Sequence, residues 1–257
     1  MFSNDNELKD FLDFYYLKYN NVSFIENDPI SIPHKFTRKE DIEISAFFAS
    51  ILAWGKRSEI IKKSNVLIDM MDYEPYNFII NASDEEFKKI IKFYYRTFSG
   101  DDALYFVHSL KNIYTNKGGL EKVFTDAYSK TGNFKDIFIE FYDIFFELPH
   151  LVRTRKHIAN PKKGSAAKRL NMFMRWMVRK DDKGVDFGLW NGISQADLML
   201  PLDLHTANTS RKIGLLTLKQ NNWNAVVEVT EKLRKLDSND PIKYDFALFG
   251  VSHDKIL

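Results

Sequence analysis

Apolar residues recur along most of the chain at the spacing of an amphipathic helix. In the segment 7–19, ELKDFLDFYYLKY, they fall at positions 8, 11, 12, 15 and 16, on one side of a helix. The segment 39–54 has acids near its start, which suit the positive end of a helix dipole, and is then apolar nearly all round. This second pattern predicts a central, buried helix.

Further helices follow to the end of the chain. They are predicted at 58–71, 83–98, 101–116, 118–130, 134–148, 165–180, 204–213, 224–237 and 240–251. The segment 181–194 is predicted as a loop. No run of alternating apolar and polar residues lies between hairpin turns, so the sequence predicts an all-α fold.

Composition narrows the possible functions. The 257 residues are 44% hydrophobic, enough for a sizeable core, and include no cysteine, which excludes disulfides and cysteine-held zinc or iron–sulfur clusters. The six histidines lack metal-binding spacing, so we expect no metal. The sequence has no GxGxxG and no Walker A loop, and we expect no other cofactor. The longest apolar run, Ile44–Trp54, is about half of the ~20 residues that cross a bilayer, and the polar N-terminus is unlike a signal peptide. We therefore expect a cytoplasmic protein that does not associate with membranes.

Positive charge is concentrated in one segment. Between positions 151 and 180 there are ten Lys or Arg and no acid, whereas the formal net charge of the whole chain is +2. A run of charge is ordinarily a solvated face. Ten cations without one acid instead favour a polyanion-binding surface, most simply for nucleic acid.

The stretch NPKKGSAAKRLNMFMRWMV places a lysine where a helix begins. Pro161 and Gly164 interrupt the preceding chain, and Ser165 is a favoured N-cap, so Lys168 falls in the first helical turn. The positive end of the helix dipole repels a protonated lysine, which favours the neutral amine of a Schiff-base nucleophile. Free amides of this turn can hold a phosphate. The simpler alternative is a solvent-facing lysine that neutralises phosphates.

The stretch PLDLHTANTSRKIGLL, 201–216, presents a carboxylate at a second helix start. Asp203 follows an apolar run and is a preferred N-cap residue, so capping of helix 204–213 is its simplest role. His205 is interpreted first as a packing or hydrogen-bonding residue.

The same stretch resembles the P-x-D-x-H…R-x-G-L segment of the helix-hairpin-helix DNA glycosylases, which include endonuclease III and the 8-oxoguanine DNA glycosylases. The matching positions are Pro201, Asp203, His205, Arg211, Gly214 and Leu215. GSAAKRLNMFMRW is similar to the second helix of the superfamily's hairpin, and Lys168 falls on its nucleophilic lysine. The segments 103–124 and 43–57 resemble a helix-plus-GGL segment of 8-oxoguanine glycosylases and the first barrel helix of the superfamily.

The chain also departs from that pattern. It has one hairpin glycine, Gly164, where two are usual, and 35 residues separate Lys168 from Asp203, more than in most members. The absence of cysteine removes the iron–sulfur module and favours oxidised purines, with the archaeal type of 8-oxoguanine glycosylase among the nearest. The whole chain further resembles a conserved bacterial family that carries KRLNMFxRWMVRKD and PLDxHTAN, and that resemblance implies no particular activity.

The glycosylase resemblance implies base excision repair on double-stranded DNA. Lys168 would attack the sugar as a Schiff-base nucleophile with AP-lyase activity, and Asp203 would stabilise the developing positive charge. The DNA-binding residues that it implies are Lys162, Lys163, Gly164, Ser165, Arg169, Arg153 and Arg155. A flipped base needs a pocket, for which the candidates are Trp54, His205, Phe246 and Phe249.

The resemblance also implies two helical subdomains that flank a cleft. Residues 30–180 would form a helical barrel with the hairpin-like element, and residues 1–29 with 181–257 would form the subdomain that carries Asp203. Two other functions stay open, namely a non-catalytic DNA-binding protein on the same fold and a helical protein-interaction scaffold. The sequence carries no motif for an oligomeric state.

Overall fold

The computed structural model describes residues 2–256, whose regular structure is entirely helical. These residues form twelve α-helices joined by loops and short 3-10 turns, and they contain no β-strand, so the all-α prediction is confirmed for them. The helices are α1 (Asp5–Tyr19), α2 (Lys39–Leu52), α3 (Arg57–Asp69), α4 (Pro75–Asn81), α5 (Asp84–Ile90), α6 (Gly100–Asn116), α7 (Leu120–Thr131), α8 (Phe134–Phe145), α9 (Lys168–Val178), α10 (Leu204–Lys212), α11 (Trp223–Leu236) and α12 (Tyr244–His253). None of the helices in this described part is long and apolar enough to span a bilayer.

One predicted helix is wrong in its second half. The segment 83–98 was expected to be helical throughout, but α5 ends at Ile90. Beyond it, the amide of Tyr95 donates to the carbonyl of Phe98 at 2.9 Å, and Arg96 adopts a left-handed conformation with φ of +55°. The short helix α4 was not predicted at all.

The chain divides into two compact units. One comprises Met1–Ile25 and Ala159–Leu257, and the other is Glu26–Ile158. The predicted halves differ from these units mainly at 159–180, which was assigned to the barrel half. This segment packs with the C-terminal helices because Arg175 of α9 ion-pairs with Asp245 of α12, and Arg179, the C-cap of α9, ion-pairs with Asp240 in the turn before α12.

The unit Glu26–Ile158 is built around α2. Every residue from Ile42 to Leu52 is buried, which confirms the prediction of a central helix. The ring of Phe47 lies 5.8 Å from that of Phe141 and 5.6 Å from that of Phe145, so α2 and α8 share an aromatic core. Burial of such large apolar side chains is the main stabilising contribution in a helical unit.

In the other unit, α1 packs against α12 at close range. The ring of Tyr19 meets Phe249 edge-on at 5.6 Å. Gly250 is required here, because a β-carbon at this position would lie 2.2 Å from the ring of Tyr19.

A buried arginine fixes the end of α9 in the same unit. Arg179 is fully buried and lies 2.8 Å from a carboxylate oxygen of Asp181 and 2.9 Å from one of Asp186 and one of Asp240. Burial alone would lower the pKa of Arg179, but the carboxylates of Asp186 and Asp240 outweigh it and raise this pKa well above its usual range. The guanidinium therefore stays charged and joins α9 to the loop after it and to the turn before α12.

Removing this cation should destabilise the fold strongly. In Arg179→Met, three carboxylates lose their shared partner, so we expect the free energy of unfolding to fall by about 3–5 kcal/mol, as measured by urea denaturation at pH 7. Lys180→Met changes the exposed neighbouring residue and should alter this free energy by less than about 0.5 kcal/mol. Equal effects of the two substitutions would contradict the role given to the network.

Candidate functional site

The helix α9 begins at Lys168, so the prediction that this lysine lies in a first helical turn is confirmed. The expected cap is wrong, however. The N-cap residue is Ala167, and the hydroxyl oxygen of Ser165 accepts a hydrogen bond from the amide of Ala167 at 3.2 Å instead of capping the helix. Directly upstream lies the 3-10 turn Pro161–Lys163, which ends in the left-handed Gly164 with φ of +84°.

Ala167 has an unusual backbone conformation. Its φ of +47° and ψ of +36° lie in the left-handed region, which costs an L-residue about 1–2 kcal/mol. The methyl group is buried, with the residue 1% exposed, and burying one such group returns about 0.8 kcal/mol. Burial therefore does not account for an alanine here, since glycine would adopt this conformation without strain.

Lys168 is partly exposed and makes few polar contacts. Its Nζ lies 3.6 Å from the sulfur of Met172, one turn further along α9. Among residues 2–256 it forms no close ion pair with a carboxylate. Its amine is thus not held in a salt bridge.

Asp203 is the N-cap of α10, as predicted. Its Oδ1 accepts a hydrogen bond from the amide of Thr206 at 2.9 Å. Within the described residues its other carboxylate oxygen makes no hydrogen bond. Capping fixes the carboxylate and leaves one oxygen available to a ligand.

A third residue, Asp245 in the first turn of α12, connects these two. Burial raises the pKa of Asp245 to about 6; Arg175 opposes this rise, Asp203 adds to it, and Lys168 opposes it. Lys168 and Asp203 therefore lie close enough to the same carboxyl group to influence its ionisation. Asp245 was not among the predicted site residues, although an acid within the apolar stretch DFALFGV was an available signal.

Arg175 completes the charged cluster. It ion-pairs with Asp245, whose side chain is 13% exposed, and its Nε donates to Asp186 at 3.2 Å. Its guanidinium also lies 4.4 Å from the ring centroid of Phe246. Arg175 thus places Asp245 beside α9, where Lys168 begins the same helix.

The predicted DNA-binding residues separate into two groups. Lys162, Lys163 and Gly164 are exposed on the turn before α9, and Ser165 is half-buried. Arg169 is also partly buried, and burial lowers its pKa to about 10, so it remains charged at neutral pH. These five positions lie within eight residues of the chain, next to Lys168.

Arg153 and Arg155 belong to the other unit. Arg153 donates to Ser99 at 2.8 Å and ion-pairs with Asp101 at 2.9 Å, and Arg155 donates to the ring of His150 at 2.7 Å. Their guanidinium groups are therefore already engaged in contacts within that unit.

The four candidates for a base pocket lie in different local environments. Phe246 is a core residue, 1% exposed, so it offers no free face for a base, and that part of the prediction is wrong. Phe249 is half-buried against Tyr19, and His205 is exposed in the first turn of α10. Trp54 belongs to the unit Glu26–Ile158, where the guanidinium of Arg96 covers its ring at 4.6 Å.

The shared influence on Asp245 can be measured directly. Asp203→Asn removes a negative neighbour and should lower the pKa of Asp245, whereas Lys168→Gln removes a positive neighbour and should raise it. Titration of the carboxyl carbon by NMR gives both directions. Lys180→Gln, an exposed cation beyond the far end of α9, should leave this pKa unchanged. If neither substitution changes the pKa of Asp245, Lys168 and Asp203 do not share a site.

Comparison with known proteins places the chain in a family. A family model described as "Protein of unknown function (DUF2400)" matches residues 28–254. No curated protein and no solved structure gives a significant match. Since the matched region includes both helix starts and nearly the whole chain, the chain belongs to the DUF2400 family.

Proposed function

We propose that this protein is a DNA repair N-glycosylase with AP-lyase activity, which removes an oxidised base, with 8-oxoguanine favoured. The observation that carries the proposal is the packing around Asp245. Arg175 of α9, the helix that Lys168 begins, ion-pairs with Asp245. The helix α10, which Asp203 caps, packs against α12, and both Lys168 and Asp203 influence the pKa of Asp245. An amine outside any close ion pair and a carboxylate with a free oxygen are the two groups that this chemistry needs.

Lys168 supplies the nucleophile. Its neutral Nζ attacks C1′ of the damaged nucleotide, the bond from C1′ to the base breaks, and the electron pair leaves with the base, which takes up a proton. The attached nitrogen loses a proton to a carboxylate or water, and opening of the sugar ring gives an imine. Loss of a proton from C2′ then breaks the C3′–O bond and releases the 3′ phosphate.

Asp203 supplies electrostatic stabilisation. As the base departs, positive charge develops on the sugar, and a fixed carboxylate lowers the energy of that state. The hydrogen bond from Thr206 holds one oxygen of Asp203, so the carboxylate needs no reorganisation during the reaction. Such preorganised groups contribute most where water is excluded.

The exposed turn before α9 is the proposed grip on DNA. Lys162 and Lys163 project from it, and the amides that begin α9 lie next to them. The usual hairpin would be reduced to this turn, with the two lysines compensating for the missing glycine. We further infer that the two compact units correspond to the two helical subdomains of the glycosylases, and that double-stranded DNA is the partner.

Imine formation can be trapped chemically. On 5′-labelled duplexes that contain 8-oxoguanine opposite cytosine or an abasic site, the wild type should give a covalent adduct after borohydride reduction. Lys168→Gln should give none, because it lacks the attacking amine. Lys88→Gln, which removes an exposed lysine from the other unit, should retain the adduct.

The remaining outcomes of this assay separate the alternatives. Asp203→Asn should slow trapping by about 100- to 1000-fold in single-turnover reactions. If the wild type forms no adduct on either duplex yet binds both with strong salt dependence, the protein is a non-catalytic DNA-binding protein. If it binds neither duplex, the scaffold function is favoured.

The basic turn should contribute to affinity through phosphate contacts. Replacing both Lys162 and Lys163 with Ala should reduce the slope of log affinity against log salt by roughly two, as measured by fluorescence anisotropy. The same change at the exposed pair Lys88 and Lys89, in the other unit, should leave the slope unaltered. If the two double variants have equal slopes, this turn is not part of the DNA interface.

A further inference from the structure

Among the described residues, five that are not glycine have a positive φ. They are Asp72, Tyr73, Arg96, Ala167 and Lys255. Four of them are exposed, in turns or at the C-terminal end of α12, where the chain can adjust at little cost. Ala167 alone is buried, and it directly precedes Lys168. Strained conformations that surrounding contacts enforce are typical of functional sites.

Two side chains hold the backbone at Ala166 and Ala167 by hydrogen bonds. The amide group of Asn171 donates from Nδ2 to the carbonyl of Ala166 at 3.1 Å, and the hydroxyl oxygen of Ser165 accepts from the amide of Ala167 at 3.2 Å. Asn171 is 1% exposed, and its Oδ1 has no hydrogen-bond partner among residues 2–256. An amide side chain is thus buried with its oxygen unpaired, and its one side-chain hydrogen bond holds the residues before Lys168.

The turn is also tied to the start of α11. The amide of Trp223 donates to the carbonyl of Gly164 at 3.2 Å, and Ser165 pairs with Asn222 in an isolated bridge. Residues 164–167 are therefore held by Asn171 of α9 on one side and by the start of α11 on the other. This leaves the left-handed Ala167 as the residue that sets the direction in which α9 begins.

We propose that Asn171 and the left-handed Ala167 are positioning residues for Lys168, which aim its amine at the site shared with Asp203. The expected effect on catalysis rests on the proposed function, whereas the backbone geometry that orients Lys168 does not. A rigid helix start fixes the first Cα–Cβ direction of α9, and a small misplacement of a reacting group can reduce a rate by orders of magnitude. The strain of Ala167 thus serves the orientation of Lys168.

The test compares Ala167→Gly and Asn171→Asp with the wild type. Glycine relieves the strain but lets the turn take other conformations, and aspartate keeps the shape of asparagine but cannot donate to Ala166. With an abasic duplex, the trapping rate of both variants should be roughly 10-fold lower than that of the wild type. The melting temperature of Ala167→Gly should lie within about 3 °C of the wild-type value. Asp72→Gly, which relieves a comparable φ of +54° in an exposed turn of the other unit, should trap at the wild-type rate.

A second measurement does not depend on DNA. The change that Lys168→Gln produces in the titration of Asp245 should be smaller in the Ala167→Gly protein than in the wild type, because the lysine is then less well placed. If the wild type traps no duplex, the proposed function fails, and this comparison still tests the positioning. Unchanged coupling to Asp245, together with wild-type trapping by Ala167→Gly and Asn171→Asp, would overturn the inference.

Discussion

The buried ion pairs of Arg175, in α9, and Arg179, its C-cap, are the constraint on which the unit Met1–Ile25 with Ala159–Leu257 depends. Arg179 joins three aspartates, and Arg175 joins Asp186 to Asp245. Charges that are buried without partners are expensive, so this set of contacts is specific: moving α9 along its axis would separate several pairs at once. The position of Lys168 follows, because it begins the helix that these arginines hold.

The buried ion pairs also change the interpretation of the basic segment 151–180. Ten cations without an acid between 151 and 180 suggested one continuous polyanion-binding surface. Arg175 and Arg179 instead face the interior, and Arg153 pairs with Asp101. The cations that remain next to Lys168 are fewer and lie mainly on the turn before α9. Any contact of this turn with DNA is therefore local and close to the proposed nucleophile.

Local features of the site could be predicted from the sequence, and long-range ones could not. The cap at Asp203 and the place of Lys168 in a first turn depend on neighbouring residues, and both are present. The partners of Arg175 and Arg179 lie up to 70 residues away, so no local pattern identified them, although two arginines among apolar residues in RWMVR hinted at burial. Ser165 was mistaken for the cap because nothing in a sequence reveals a left-handed alanine. Phe246 was proposed for a pocket because an aromatic residue at helical spacing does not disclose whether it faces the core.

The central claim is that Lys168 and Asp203 act together on a damaged nucleotide. The most direct measurement is the release of free 8-oxoguanine from a duplex, followed by mass spectrometry of the small-molecule fraction. The wild type should release the base, Lys168→Gln should release none, and Asp203→Asn should release it far more slowly. Absence of the free base with wild-type protein on a duplex that it demonstrably binds would contradict the claim.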